Sequence, residues 1–180
     1  GLHHVRREVS LSERAPDKSR KGRYVINDHF LNFWFRFVDP VVTLVDVGRG
    51  EQLFRELISP QVGAYMGGIF ESVCQDFVLL YGQEIGLPIA KRVGRIWDRD
   101  YDIDVVSENL DSSYTFGECK WSSFRSLQTA RRKLLENSQR SGMSSATSRY
   151  VLFSTDPVTI PEPLQKEQPL FGVSTDQLFA

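Results

Sequence analysis

The fold turns on residues 92–121, RVGRIWDRDYDIDVVSENLDSSYTFGECKW. Three short β-prone runs follow one another here, each closed by polar turn residues. Arg92 to Trp97 is the first run, turned by Asp98-Arg99-Asp100. Asp102 to Val106 is the second, followed by a turn at Asn109 to Ser113, and Tyr114 to Trp121 is the third. Gaps of turn length predict an antiparallel meander. Strand side chains alternate between faces, so Asp102 and Asp104 project to one side of their strand, and Glu118 and Lys120 to one side of theirs. Ile103, Val105 and Cys119 face the other way and read as core. With the two strands paired, three carboxylates and one ammonium converge on a small area. Crowded carboxylates repel unless a cation neutralises them, and hard oxygen donors suit Mg2+ or Mn2+ rather than Zn2+. A lysine beside them would stabilise an oxyanion or hold a water. This is equipment for metal-assisted hydrolysis of a phosphodiester. A purely structural reading of the same residues is an edge-strand salt bridge, with Lys120 paired to Asp104 or Glu118.

Working outward, residues 62 to 81 repeat apolar side chains at helical spacing: Val62, Met66, Ile69, Phe70, Val73, Phe77, Leu80 and Tyr81. Gly82, Gly86 and Pro88 close that helix. Beyond the three strands, Ser126 to Gln139 reads as a helix with Leu127, Ala130 and Leu134 on one face. Arg149 to Ser154 reads as a strand, residues 156 to 169 as a proline-rich loop, and Phe171 to Ser174 as a short last strand. The order helix, three strands, helix, strand predicts an α/β fold with helices on both faces of a mixed sheet.

Toward the N-terminus, residues 4 to 9 and 23 to 26 read as a hairpin, with residues 10 to 22 as a polar, basic tip. Asn27 and Asp28 are candidate N-caps for a helix from His29 to Val38. Its aromatics, Phe30, Phe33, Trp34, Phe35 and Phe37, demand burial. Asp39-Pro40 is expected to end it. Residues 41 to 60 are then a connection with a short helix around Gln52 to Ile58, and Pro60 is a boundary. The chain has 180 residues and a formal net charge of −1. Residues 1–23 alone carry seven basic and three acidic side chains. Basic patches of this kind are the minimum footprint for phosphate contact, and equally an ordinary solvated face. Apolar runs are too short for a bilayer, so no membrane partner is expected. Two cysteines, Cys74 and Cys119, and no secretory signal suit a reducing, cytoplasmic setting. The first residue is Gly1 rather than Met, which reads as a piece of a longer protein.

Asp104, followed after a turn by Glu118-Cys119-Lys120, resembles the PD-(D/E)XK nuclease superfamily, whose restriction-endonuclease-like core is helix, three strands, helix, strand. A wider set of residues runs through most of positions 20 to 155: Tyr24-Val25-Ile26-Asn27-Asp28, Phe30 to Val38, Ile103 to Val106, and Gly117 to Trp121. It resembles the C-terminal domain, of unassigned function, of prokaryotic and largely archaeal AAA-type P-loop ATPases. The resemblance implies that residues 1–28 are the wing and end of a winged-helix domain. It makes 29–60 an aromatic helix and connecting segment, and 61–180 a nuclease-like domain. It implies Asp104 and Glu118 as metal ligands, the Cys119 carbonyl as another, and Lys120 as the residue that positions or activates water. Glu71 matches the helical glutamate of many members, and its alternative is a solvated carboxylate. Asp102 stands where many relatives carry glutamate and is taken as a supporting or shared ligand. The proline of the superfamily's name is absent before Asp104. No Gly-x-x-x-x-Gly-Lys-(Ser/Thr) element is present, so ATP binding by a P-loop is not expected of this segment.

Further candidates are weaker. Gln128 resembles an assisting glutamine of some nucleases, or is an exposed polar residue. Arg125, Arg131, Arg132 and Lys133 contact phosphates, or form a solvated face. Lys18, Arg20 and Lys21 at the hairpin tip are nucleic-acid candidates. His3 and His4 are adjacent and would point to opposite faces, which disfavours a two-histidine metal site. His29 is expected to be structural, Cys74 and Cys119 to be small core residues, and Trp34 to pack rather than stack on bases. The leading expectation is a Mg2+- or Mn2+-dependent nuclease-like domain acting on DNA under control of an N-terminal AAA-type ATPase. The alternative is a non-catalytic DNA-binding or partner-docking module of that ATPase, with an oligomerisation domain as a third reading.

Overall fold

The computed structural model describes residues 4–162, 164 and 169–179. His3 and positions 163 and 165–168 of the expected loop lie outside the described residues. The chain forms two compact units. One comprises residues 1–9 and 15–69, the other residues 10–14 and 70–180.

In the first unit, β1 (Val5–Glu8) and β2 (Arg23–Ile26) pair antiparallel, with Val5 opposite Ile26 and Glu8 opposite Arg23. The link between them holds a 3-10 turn at Pro16–Lys18. Arg7 braces it, donating to the carbonyls of Pro16 (2.9 Å) and Ser19. Lys18, Arg20 and Lys21 are exposed. Asp28 caps α1 (His29–Phe33), its carboxylate accepting from the Leu31 N–H at 3.0 Å. Helical structure then continues where a stop was expected. A π-helical turn, Trp34–Val38, leads through a 3-10 turn, Asp39–Val41, into α2 (Val42–Asp46). In the same way α3 (Gly50–Leu53) passes through a π-helical turn, Phe54–Ile58, into α4 (Ser59–Tyr81). Neither Pro40 nor Pro60 breaks the chain. Each lies two residues beyond a π turn, whose wider ring accommodates the missing N–H and the crowding of the carbonyl behind it. Phe37, Ile58 and Tyr65 form a small core with Phe33, Val62, Met66 and Ile69. Tyr65 meets Phe37 and Phe33 edge-on at 5.5 and 5.8 Å, and its hydroxyl donates to the His29 carbonyl at 2.8 Å. Not every aromatic is buried, against expectation: Phe30 and Phe35 are more than half exposed.

The second unit is built on a five-stranded sheet in the order β3 (Ala90–Trp97), β4 (Asp102–Asn109), β5 (Tyr114–Lys120), β6 (Arg149–Ser154), β7 (Leu170–Ser174). The expected meander β3-β4-β5 is antiparallel, and β6 and β7 add parallel to β5. The sheet is therefore mixed. Phe70, Cys74, Phe77 and Val78 of α4 pack on Val105, Val151, Phe153 and Val173. On the opposite face α5 (Leu127–Arg140) buries Leu134 against Ile103, Val106, Phe116, Tyr150 and Leu152. Ser126 caps α5 by accepting from the Thr129 N–H. This is the expected α/β layering.

Three details differ from expectation. Leu80 and Tyr81 are exposed; the buried stripe of α4 in this unit is Phe70, Cys74, Phe77 and Val78, at offsets of four, seven and eight. Leu11, expected in a polar turn, is buried beside Ile96, with its N–H on the Arg95 carbonyl at 2.9 Å. Ile103 and Val105 do not share a face. The β3–β4 register moves from Gly94 opposite Val106 to Ile96 opposite Ile103, so three steps of β4 match two of β3. That bulge, spanning Asp104 and Val105, breaks the alternation and sends Ile103 to the α5 core while Val105 joins the α4 core.

Candidate functional site

The bulge is what places Asp104. Although a charged residue, it is only 9% exposed. Its carboxylate accepts from the Cys119 N–H at 2.9 Å, across to β5, and its carbonyl accepts from the Gln75 side chain of α4 at 2.8 Å. Burial pushes the Asp104 carboxyl up to about 7. The negative charges of Glu71, Glu118 and Asp102 push the same way, against the lowering effect of the Cys119 N–H. The structure thus brings together four of the expected carboxylates: Asp102 and Asp104 from β4, Glu118 from β5 and Glu71 from α4.

Two cations sit in this group. Arg95 of β3 binds Glu71 at 3.0 Å. Lys133 of α5 binds Glu118 at 3.3 Å. Burial pulls the Lys133 ammonium down, but Glu118, Asp102 and Asp104 outweigh it and hold the ammonium above its usual value. Lys120 behaves differently from expectation. It is exposed, two residues past Glu118, and among the described residues it pairs with neither Asp104 nor Glu118. The edge-strand salt bridge involving it is not formed; Lys133 takes that place. Sequence reasoning had left Lys133, with Arg125, Arg131 and Arg132, either to contact phosphates or to form a solvated face, and had not paired it with Glu118. The signal was Leu134 beside it, which fixes the rotation of α5, together with Asn137 one turn on, whose amide donates to the Asp102 carbonyl at 3.0 Å.

Cys119 packs against Cys74 in the α4 core, and burial, followed by contact with Cys74, drives its thiol well above the ordinary range. Both cysteines are free. Trp121 covers this edge, its ring meeting Phe70 at 5.6 Å. Arg125 and Gln128 are exposed, Arg131 is half-buried, and Arg132 faces Glu136 at 3.9 Å.

Four carboxyl groups and two contacting cations leave the cluster two positive charges short when every acid is ionised. One divalent cation would meet that shortfall, and the donors are hard oxygens. Among the described residues, however, no three Asp, Glu, His or Cys side chains already stand close enough to hold an ion.

Among the described residues no helix is long and apolar enough to cross a membrane. The chain is 29% identical over 152 residues to the uncharacterized protein MJECL04 of Methanocaldococcus jannaschii, an alignment covering 82% of this chain and 34% of that protein. It therefore spans about a third of that relative's length. Among solved structures it is similar to a repair endonuclease from Pyrococcus abyssi, at 14% identity and a TM-score of 0.37, covering 58% of this chain and 46% of the other. The family model described as "Archaea bacterial proteins of unknown function" (DUF234) matches residues 34–134, more than half of the chain, and the chain belongs to that family.

Proposed function

We propose that this chain is a restriction-endonuclease-like domain that hydrolyses phosphodiesters of DNA with Mg2+ or Mn2+. We further propose that it works as the C-terminal part of an AAA-type ATPase, its N-terminal hairpin being a winged-helix remnant. The observation that carries the reading is Asp104, a carboxyl only 9% exposed that stands among Glu71, Glu118 and Asp102 and accepts from the Cys119 N–H. Such a group is costly to bury without a purpose. Asp104, Glu118 and the Cys119 carbonyl would hold the cation, with Glu71 and Asp102 supplementing them. When bound, the cation supplies a polarised phosphoryl oxygen and a water that ionises near neutral pH. The chain's own part is then positional. Asp104 would have to be ionised, its proton passing to solvent, to serve as a ligand, and the Cys119 N–H holds the orientation of its carboxylate. Lys120, on the exposed end of β5, offsets charge gathering on the phosphate. Glu118 and Glu71 are paired with Lys133 and Arg95, so either would have to turn from its partner to hold an ion. The match over 34% of the archaeal relative leaves ample length in such a protein for an ATPase.

The test is a panel of single-stranded, duplex and branched DNA, with RNA alongside, incubated in Mn2+ with the chain and with its Asp104→Ala and Lys120→Ala variants. Cleavage that chelator abolishes and both variants lack is the expected result. Cleavage that persists in Asp104→Ala, or calorimetry showing no Mn2+ binding to the chain, overturns the assignment. The exposed Lys18, Arg20 and Lys21 favour the second reading, a non-catalytic DNA-binding or docking module. That reading gains if nucleic acid binds without metal and no cleavage is seen.

A further inference from the structure

Tyr24 has no part in the core of its unit. It is 76% exposed, more than any other large hydrophobic side chain among the described residues. The hairpin nevertheless fixes its place. Tyr24 pairs with Arg7 across the β1–β2 ladder, so the two side chains stand side by side on one face. Arg7 is itself anchored, its guanidinium donating to the carbonyls of Pro16 and Ser19. The same guanidinium lies against Gly22, where an added Cβ would come within 2.6 Å of the Arg7 Nε. The link between the strands is therefore tied back to the neighbour of Tyr24. That link carries Lys18, Arg20 and Lys21, all exposed, and among the described residues no carboxylate pairs with any of them. Lys21, three residues before Tyr24, is separated from it by at most about 11 Å of backbone.

We propose that Tyr24 is a stacking platform for an unpaired base, so that the hairpin binds single-stranded nucleic acid, with Lys18, Arg20 and Lys21 on the flanking phosphates. The proposal rests on the reading of the chain as a nucleic-acid-binding domain and is independent of the carboxylate cluster. Charge complementarity selects the kind of partner. Residues 1–23 carry a formal charge of +4, so an exposed ring at their border meets a polyanion rather than a basic or neutral surface. The ring then selects among polyanions. An acidic peptide offers carboxylates but no run of flat π faces. A duplex offers phosphates, but its bases are stacked on one another and enclosed. A single strand offers both, phosphates to the basic link and a free base face to the phenol ring. The ordering cost is small, because a tyrosine rooted in a paired strand has only two side-chain torsions to lose.

The experiment is run in chelator, with a labelled thymidine oligomer of about 16 nucleotides and with its duplex, each titrated at several salt concentrations. Wild type, Tyr24→Ala, Tyr24→Phe and the triple Ala variant of Lys18, Arg20 and Lys21 are compared. Tyr24→Ala is expected to weaken single-strand binding roughly 5- to 30-fold and to leave the slope of log affinity against log salt unchanged, because stacking releases no counterions. Tyr24→Phe keeps the ring and is expected to match wild type. The triple variant is expected to lower the single-strand slope by about 2, at about 0.7 per phosphate. Duplex affinity is expected to be indifferent to Tyr24. An equal loss on single strand and duplex in Tyr24→Ala, a matching loss in Tyr24→Phe, or no loss at all overturns the stacking role and leaves nucleic-acid binding standing. Polyglutamate that binds as tightly as the oligomer, with the same dependence on Tyr24, overturns the choice of partner. Failure of wild type to bind either form at low salt overturns the underlying reading instead. Thermal melts guard against misfolding, and Tyr24→Ala is expected to melt with wild type because the ring it removes is exposed.

Discussion

A single carboxyl, Asp104, concentrates the physical tension of this molecule. Its ordinary value is 3.8, and in the fold it stands near 7. Between those values the folded chain holds a proton that the unfolded chain has lost. Stability attributable to this group is therefore complete below about pH 4 and declines as pH rises through 7. Above pH 5 nearly all of the loss falls between pH 5 and about pH 7, about 2–3 kcal/mol at 1.36 kcal/mol per pH step, and little is added by pH 8. Asp104→Asn retains an oxygen for the Cys119 N–H and has nothing to titrate. Urea denaturation of both proteins at several pH values gives a difference curve in which shared groups cancel. The variant should gain on wild type by about 2–3 kcal/mol across that window. A flat difference curve would mean that Asp104 is ionised at neutrality and that the crowding described for it is compensated.

At the scale of elements, the β4 bulge and the bare backbone at Gly117 act together. Gly117 lies opposite Val105, and a methyl group there would come within 3.0 Å of the Val105 Cβ and 3.1 Å of the Phe153 ring. Both neighbours are fully buried, so neither has space to yield. Gly117→Ala is expected to cost about 1–3 kcal/mol, read as a lower urea midpoint, by overpacking the strand pair that presents Glu118. A change below a few tenths of a kcal/mol would show that β5 moves freely against the bulge. The same elements mark how far sequence patterning reaches. The strand at 149–154, the Asp28 cap and the antiparallel triad were legible because turn residues and period-2 runs are local signals. Asp104 and Glu118 were legible as acids in strands that otherwise read as core. The division of Ile103 and Val105 between faces was not, because a bulge is set by pairing across β3 and leaves no mark within β4. Nor was the exchange of Lys120 for Lys133 at Glu118. Spacing along a strand says which side chains share a face, but not which helix will reach it. The π turns before Pro40 and Pro60 escaped for a related reason: proline signals a break, while the fold needed only a wider turn.

At the scale of the whole molecule, charge is divided unevenly along a nearly neutral chain. Residues 1–23 carry a formal charge of +4 and the remainder −5. Lys18, Arg20 and Lys21 are exposed around the 3-10 turn that Arg7 braces, which holds the positive charge in a defined loop. Such a patch attracts a polyanion by releasing its counterions, a contribution that falls with salt and is blind to sequence and to bound metal. Replacing Lys18, Arg20 and Lys21 together by Ala takes the formal net charge from −1 to −4. If all three meet phosphates, the salt slope for duplex DNA drops by about 2.7, and by the same amount in Ca2+ and in chelator. That independence of metal is what separates a loop gripping the phosphate backbone from a contact made only when the carboxylate cluster is filled. Titrations at two or three salt concentrations read the slope directly. A loss confined to the metal-loaded state would mean that the hairpin engages nucleic acid only when the carboxylate cluster is filled. An unchanged slope would assign the basic hairpin to solvent and leave binding to the sheet unit alone.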